Sequence, residues 1–153
     1  MENTGDLRDE DLLRLDTQIC FSVHAASRAF NAVYREPLGA LGLTYPQYLV
    51  MLALWEHGEL AVKRLGELLR LDSGTLSPLL KRLEAHGYVE RRRSAEDERS
   101  VTVRPTGAGA ELRTAAAAVP RRIAEATGLS LEEFMELRDR LNALTGALDA
   151  APR

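Results

Sequence analysis

The chain has 153 residues, of which 45% are apolar and 28% charged, with 20 lysines and arginines against 23 aspartates and glutamates. This composition suits one folded domain over residues 1–153, excludes a disordered tail, and contains no apolar run near the roughly 18 residues of a membrane span. The acidic N-terminus lacks the basic and apolar regions of a secretory signal, so we expect a cytoplasmic protein with no membrane partner.

Apolar residues at spacings of three and four predict one long first helix over about residues 6–36, a stretch without glycine or proline. Pro37 and the glycines that follow are expected to end it. Thr44 and Gln47 then form a capping box for a second, strongly apolar helix that stops at Gly58. This second helix is expected to lie in the core.

A helix-turn-helix followed by a hairpin is predicted for the middle of the chain. The first helix covers about residues 62–69, with Leu65 and Leu68 facing inward and Gly66 allowing close backbone approach. The second covers about 73–86, and Pro78 leaves its start open between Ser73 and Thr75. Its inward stripe consists of Leu76, Leu79, Leu80 and Leu83. Partial alternation over 88–93 and 100–104 predicts a β-hairpin with a charged tip.

The C-terminal region is predicted to be helical. A stretch interrupted by Pro120 runs from Thr106 to near Gly128, and Ser130 and Glu133 form a second capping box. The last helix then has a narrow apolar seam of Phe134, Leu137, Leu141, Leu144 and Leu148. The apolar faces of the first and last helices have few other surfaces in the same chain to pack against. We therefore expect a homodimer formed through about residues 6–36 and 107–149. The alternative is that these helices pack within one chain.

The charge distribution favours double-stranded DNA as a partner. Residues 62–104 contain ten basic and seven acidic side chains, while the chain as a whole is acidic. The order of elements over about 44–106 is that of a winged helix-turn-helix, so the fold class is mostly α with a small β-hairpin wing. The alternative interpretation is that these charged residues do not bind DNA and form an ordinary solvated helix face and a salt-bridged hairpin.

The expected DNA contacts lie on the second helix of the motif and on the wing. They are Ser73, Gly74, Thr75, Ser77, Pro78, Lys81, Arg82, Arg91, Arg93 and Arg99. Small residues allow approach to base edges, cations meet phosphates, and Arg99 at the tip could enter a minor groove, braced by Asp97. A twofold dimer predicts a pseudo-palindromic operator with half-sites about 10 base pairs apart.

Four segments and the single cysteine carry a family resemblance. The segments are LTYPQYL (43–49), LWEH (54–57), LDSGTLSPLLKR (71–82) and EDERSV (96–101). With Cys20 early in the first helix, they resemble the organic-hydroperoxide-sensing OhrR branch of the MarR family, of the one-cysteine type. The resemblance covers about residues 18–106. It implies a repressor that leaves operator DNA when an organic hydroperoxide oxidises Cys20, which derepresses a peroxide-resistance gene.

The resemblance also implies the surroundings of the sensor. Tyr34 and Tyr45 of the partner subunit would hydrogen-bond to Cys20, and a low-molecular-weight thiol could convert the oxidised sulfur into a mixed disulfide. Tyr34 lies 14 residues after Cys20, about 21 Å along an unbroken helix, so contact within one chain is excluded. His24 stands where the family has a third tyrosine. It either donates a hydrogen bond to the thiolate or is a polar interface residue.

Three functions are alternatives to a peroxide-sensing repressor. The first is a MarR-type repressor released by a small aromatic ligand, with Cys20 structural. The second is a thiol peroxidase, disfavoured because the chain has no second cysteine to resolve the intermediate. The third is a metalloregulator, disfavoured because His24, His57 and His86 lack ligand spacing. We therefore expect neither an enzyme nor a bound cofactor or metal.

Overall fold

The computed structural model describes residues 8–153, which form eight α-helices and three β-strands. The helices are α1 (Asp9–Leu12), α2 (Ile19–Gly39), α3 (Tyr45–His57), α4 (Val62–Leu69), α5 (Ser73–Ala85), α6 (Gly107–Ala116), α7 (Val119–Ala126) and α8 (Leu131–Ala150). The strands are β1 (Leu60–Ala61), β2 (Val89–Arg93) and β3 (Val101–Pro105). The mostly helical fold class with a small β wing is confirmed.

The single first helix predicted over 6–36 is wrong, since α1 and α2 are separated by a short 3-10 turn at Leu15–Thr17. Residues 6 and 7 lie outside the described part. Polar side chains explain the break, because the Thr17 hydroxyl donates to the Asp11 and Arg14 carbonyls at 3.0 and 2.9 Å. Gln18 Nε2 donates to the Arg14 carbonyl at 2.9 Å. Such bonds replace the backbone donors of a continuous helix.

Helix α2 does not stop before Pro37 but ends at Gly39, the first of the glycines that were expected to end it. Proline has a helical φ and costs one backbone hydrogen bond, a small loss in the last turn. Pro37 and Leu38 are moreover buried, so packing compensates.

Helix α3 forms the centre of the core, as predicted. The Thr44–Gln47 capping box is confirmed: the Thr44 amide donates to Gln47 Oε1 at 3.0 Å, and the Gln47 amide donates to Thr44 Oγ1 at 3.4 Å. Val50, Met51 and Leu54 are each 0% exposed. The capping box therefore fixes where a fully buried helix begins.

The start of α5, which the sequence left open, lies at Ser73. The Asp72 carboxylate caps it by accepting the Thr75 amide at 2.7 Å, and Pro78 stays inside the helix. The N-cap hydrogen bond supplies the local reason for the early start.

Helices α4 and α5 pack as a helix-turn-helix. Leu65, Leu76, Leu80 and Leu83 are buried. The predicted close approach at Gly66 is confirmed, since a Cβ there would lie 2.9 Å from the Leu71 carbonyl oxygen. The inward orientation of Leu68 is wrong, because its side chain is 37% exposed. Leu69, four residues after Leu65 and on the same helix face, packs against the core in its place.

The predicted hairpin is confirmed as β2 and β3, paired antiparallel with Arg91 opposite Val103. Strand β1 adds a third member in the order β1–β3–β2 and was not predicted. Two residues give no detectable alternation, and Leu60 is ordered by its pairing with Val103.

The C-terminal helices begin and end close to the predicted positions. Pro120 lies in the first turn of α7, and the Ser130–Glu133 capping box at the start of α8 is confirmed. Helix α8 has no buried residue, and Leu137 and Leu141 of its seam are 46% and 40% exposed. No helix in residues 8–153 has the length and apolar character to cross a bilayer.

Candidate DNA-binding surface and thiol site

The outward face of α5 carries the residues predicted to contact DNA. Ser73, Gly74, Thr75, Ser77, Pro78, Lys81 and Arg82 are all exposed. The face begins with small and hydroxyl side chains and ends with two cations. Small side chains allow a helix backbone to approach the base edges in a groove, and cations at the end of the helix can bind the phosphates beside it.

Arg91 differs from the other expected contacts because it already has a partner. Its Nε donates to Glu84 Oε2 at 3.1 Å, which ties β2 to the end of α5. This hydrogen bond lowers the pKa of Glu84. Arg93, two residues further along the strand, is exposed. The structure thus gives Arg91 a positioning contact and leaves Arg93 open to solvent.

The wing tip is held by backbone contacts to Asp97. Its carboxylate accepts the Arg99 amide at 3.0 Å, and its carbonyl accepts the Ser100 amide at 2.9 Å. Asp97 therefore fixes the main chain below Arg99 and leaves the guanidinium exposed. A groove of about 820 Å³ separates this tip from α4 and α5, with Lys63 on its opposite wall.

Exposed cations lie on α4, α5 and the wing, and two of them, Lys63 and Arg99, line this groove. Lys63, Lys81, Arg82, Arg93 and Arg99 form no ion pair with any residue in the described range 8–153. The neighbouring Arg92 and Arg104 are both bound to Glu90. Lys63 was missed in the sequence because α4 was taken only as a supporting helix. The cations without partners are those that could neutralise phosphates.

Cys20 is exposed in the first turn of α2, at the end of the helix where the macrodipole is positive. His24 is also exposed and lies one turn later on the same face. In the described part of the chain, neither side chain forms a hydrogen bond. The thiol is therefore accessible within a single protomer.

Three tyrosines meet where α2 and α3 cross. The rings of Tyr34 and Tyr45 are 4.8 Å apart, and Tyr48 lies 5.8 Å from Tyr34. Burial, with smaller effects of the other two phenols, raises the pKa of Tyr34 to about 12. Burial also raises the pKa values of Tyr45 and Tyr48. Tyr48 was missed, although its position three residues after Tyr45 places both on one helix face.

The tyrosines form one end of an open apolar groove. A volume of about 320 Å³ is lined by Val23, Ala26, Ser27, Phe30, Asn31, Tyr34, Tyr45 and Leu141. Two further grooves, of about 280 and 230 Å³, continue between α2, α7 and α8, and Phe30 lines all three. Cys20 and Tyr34 belong to the same continuous α2, so about 21 Å of helix separates them. The structure brings the tyrosines together and leaves Cys20 of the same chain apart from them.

No group of three or more histidine, cysteine, aspartate or glutamate side chains suited to a metal ion occurs among residues 8–153.

The helix-turn-helix, its exposed α5 face and the cation-bearing wing define a winged-helix DNA-binding protein. Comparison with known proteins identifies the family. Residues 33–115 match the model of the transcriptional regulators SarA/Rot.

Two curated relatives cover nearly the whole chain. The regulator TtmR of Methylorubrum extorquens is 47% identical over 98% of this chain and 75% of its own length. The organic hydroperoxide resistance transcriptional regulator of Bacillus subtilis is 45% identical over 90% of this chain and 94% of its own. The chain belongs to the SarA/Rot and MarR type of transcriptional regulators, and its resemblance to the OhrR branch is confirmed.

Solved structures of transcriptional regulators also match this chain. Reduced AbfR bound to DNA matches with a TM-score of 0.79 and 35% identity, over 93% of this chain and 97% of that one. AbfR is a protein of Staphylococcus epidermidis. Its disulfide form has the same 35% identity and covers 92% of this chain and 93% of that one, but its TM-score is 0.61. The described chain is thus more similar to the DNA-bound structure of reduced AbfR than to the disulfide structure.

Proposed function

We propose that this protein is a homodimeric transcriptional repressor that binds a pseudo-palindromic operator and releases it when an organic hydroperoxide oxidises Cys20. One observation carries the proposal. Within one chain, the exposed Cys20 thiol lies at the start of α2, far from the groove of Tyr34 and Tyr45 near the end of the same helix. A second copy can complete this site by placing its Cys20 beside the tyrosines. The relative in Bacillus subtilis is by name a regulator of organic hydroperoxide resistance.

The surface area supports a dimer. The chain exposes 11480 Å², whereas a compact monomer of 16.9 kDa exposes about 7700 Å². This excess of about 3800 Å² for one chain is larger than the roughly 1000–2500 Å² that an obligate interface buries on each partner, so a large interface and an elongated shape together account for it. We assign the interface to α1, α2 and α6–α8, where the exposed leucines and the three grooves lie, and DNA binding to the lobe over about residues 44–106.

The proposed chemistry is one oxidation for each signal. The Cys20 thiolate attacks the outer peroxide oxygen, an S–O bond forms, the O–O bond breaks, and an alcohol leaves after taking up a proton. A low-molecular-weight thiol then attacks the sulfenic acid, which forms a disulfide and releases water. We assign His24 to a hydrogen bond with the thiolate, and Tyr34 and Tyr45 to hydrogen bonds with the reduced sulfur across the interface. The protein acts stoichiometrically in the bacterial cytoplasm and not as an enzyme.

Oxidation would act on DNA binding through the interface. The added oxygen or thiol adduct no longer fits between the phenols and α2, so the two protomers shift. Recognition helices that must enter successive major grooves tolerate little displacement, and affinity falls. Ser73, Gly74, Thr75, Ser77, Pro78, Lys81, Arg82, Arg93 and Arg99 are the proposed DNA contacts, and Arg91 and Asp97 hold the wing in position.

The test is a DNA mobility shift of the full-length protein with and without cumene hydroperoxide, combined with intact mass measurement. The wild type should lose operator binding as its mass increases by one oxygen atom or one thiol adduct. Cys20→Ser should bind the operator and ignore the peroxide. If Cys20→Ser is released like the wild type, the redox mechanism is wrong and release by a small aromatic ligand becomes the better explanation.

A further inference from the structure

We propose that Trp55 is a positioning residue that couples the tyrosine site to the junction between the recognition helix and the wing. This inference rests on the proposed function and adds the route by which oxidation reaches the DNA-binding elements. It is drawn from a continuous series of contacts from α2 through α3 to α6 and the start of β2.

The first part of the route is aromatic. Tyr34 contacts Tyr48 at a ring separation of 5.8 Å, and Tyr48 contacts Trp55 edge to face at 6.4 Å. Tyr48 is 2% exposed and is held among the core residues of α3. Tyr34 and Trp55 are partly buried and pack against the core on either side of Tyr48. Because Tyr48 is tightly packed between them, a displacement of Tyr34 is passed to its neighbours.

The second part is a hydrogen bond across the core. Trp55 Nε1 donates to the Gly109 carbonyl at 2.9 Å, which joins α3 to the first turn of α6, 54 residues later in the chain. Gly109 in turn packs directly on the Tyr88 carbonyl, and a methyl group at Gly109 would overlap that oxygen. Glycine is therefore required where α6 meets Tyr88.

Tyr88 is the junction between the DNA-binding elements. Its amide donates to the Leu83 carbonyl at the end of α5 at 3.0 Å, and its carbonyl accepts the Thr106 amide at 3.0 Å. Val89, the next residue, begins β2. A shift of Gly109 therefore displaces the point where the recognition helix passes into the wing, and the two elements change their relative orientation.

The experiment compares operator affinity before and after cumene hydroperoxide for the wild type, Trp55→Phe and Tyr88→Phe. Trp55→Phe keeps an aromatic ring but removes the indole donor, whereas Tyr88→Phe keeps the backbone contact on which the route depends. We expect all three reduced proteins to bind within about threefold of one another. The loss of affinity on oxidation should be about tenfold smaller in Trp55→Phe than in the other two, within the usual range of coupling between sites.

Fluorescence gives an independent readout because Trp55 is the only tryptophan in the chain. Its emission should change when the wild type is oxidised and stay constant in peroxide-treated Cys20→Ser. A full loss of affinity in oxidised Trp55→Phe, or unchanged Trp55 emission in an oxidised wild type that has released DNA, would overturn the coupling while leaving the proposed function intact. A wild type that keeps its operator after Cys20 oxidation would overturn both.

Discussion

Truncation of Phe30 tests whether the grooves beside α2 are an interface between two copies of the chain. Phe30 lines all three grooves and is 37% exposed in the protomer. Because a phenylalanine side chain has an area of about 200 Å², about 75 Å² of Phe30 remains to be buried on association. Burying this apolar area contributes about 2 kcal/mol to the free energy of association for each protomer. Phe30→Ala should therefore weaken the dimer by about 4 kcal/mol, or roughly 700-fold in Kd.

The assay is sedimentation equilibrium over a dilution series, with operator binding measured on the same samples. Leu68→Ala is a matched control, because Leu68 is also 37% exposed but lies on α4, away from the grooves. We expect the control to dimerise like the wild type. Because protomer packing also contacts Phe30, circular dichroism should verify that the variant remains folded. A folded Phe30→Ala with wild-type dimer affinity would refute the assignment of the interface.

Three further predictions concern DNA binding and alkaline stability. Arg99→Ala should weaken operator binding and reduce the salt slope of log Kd by about 0.9 for each lost phosphate contact, about 1.8 for a dimer. Lys81→Ala should weaken binding to every sequence alike; discrimination between operators would instead make Lys81 a base reader. Because burial raises the pKa of Tyr34 from 10.0 to about 12, its contribution to stability is present below pH 10 and disappears as the pH rises through about 12. In urea unfolding, the free energy of unfolding of Tyr34→Phe should therefore fall less than that of the wild type between pH 10 and pH 12. An equal fall in both proteins would contradict the raised pKa of Tyr34.

The outline of the candidate site could be predicted because its signals are local. The capping residues Thr44 and Ser130 gave the starts of α3 and α8 within one residue, since a cap bonds to amides only three positions away. The four segments within residues 43–101, together with Cys20, are short runs of neighbouring residues that carry the family resemblance. The positions of Cys20 and Tyr34 on one helix also follow from periodicity, and the structure keeps both in α2.

Other features depend on contacts that sequence spacing does not encode. The break before α2 results from the Thr17 and Gln18 side chains folding back onto carbonyls, which periodicity alone does not reveal. Strand β1 exists only because Leu60 pairs with Val103, across more than forty residues. The partner of Arg91 was equally hidden, as Glu84 belongs to a different element.

The family, the helical periodicity, the helix caps and the single cysteine can all be read from the amino-acid sequence. Each of these is a property of neighbouring residues or of the residue types themselves. The connection of the tyrosine groove with Gly109 through Tyr48 and Trp55, and the packing of this glycine against Tyr88, depend on the folded structure. Those contacts join elements distant in the chain, and they form because the core closes around α3 with no space left between the side chains.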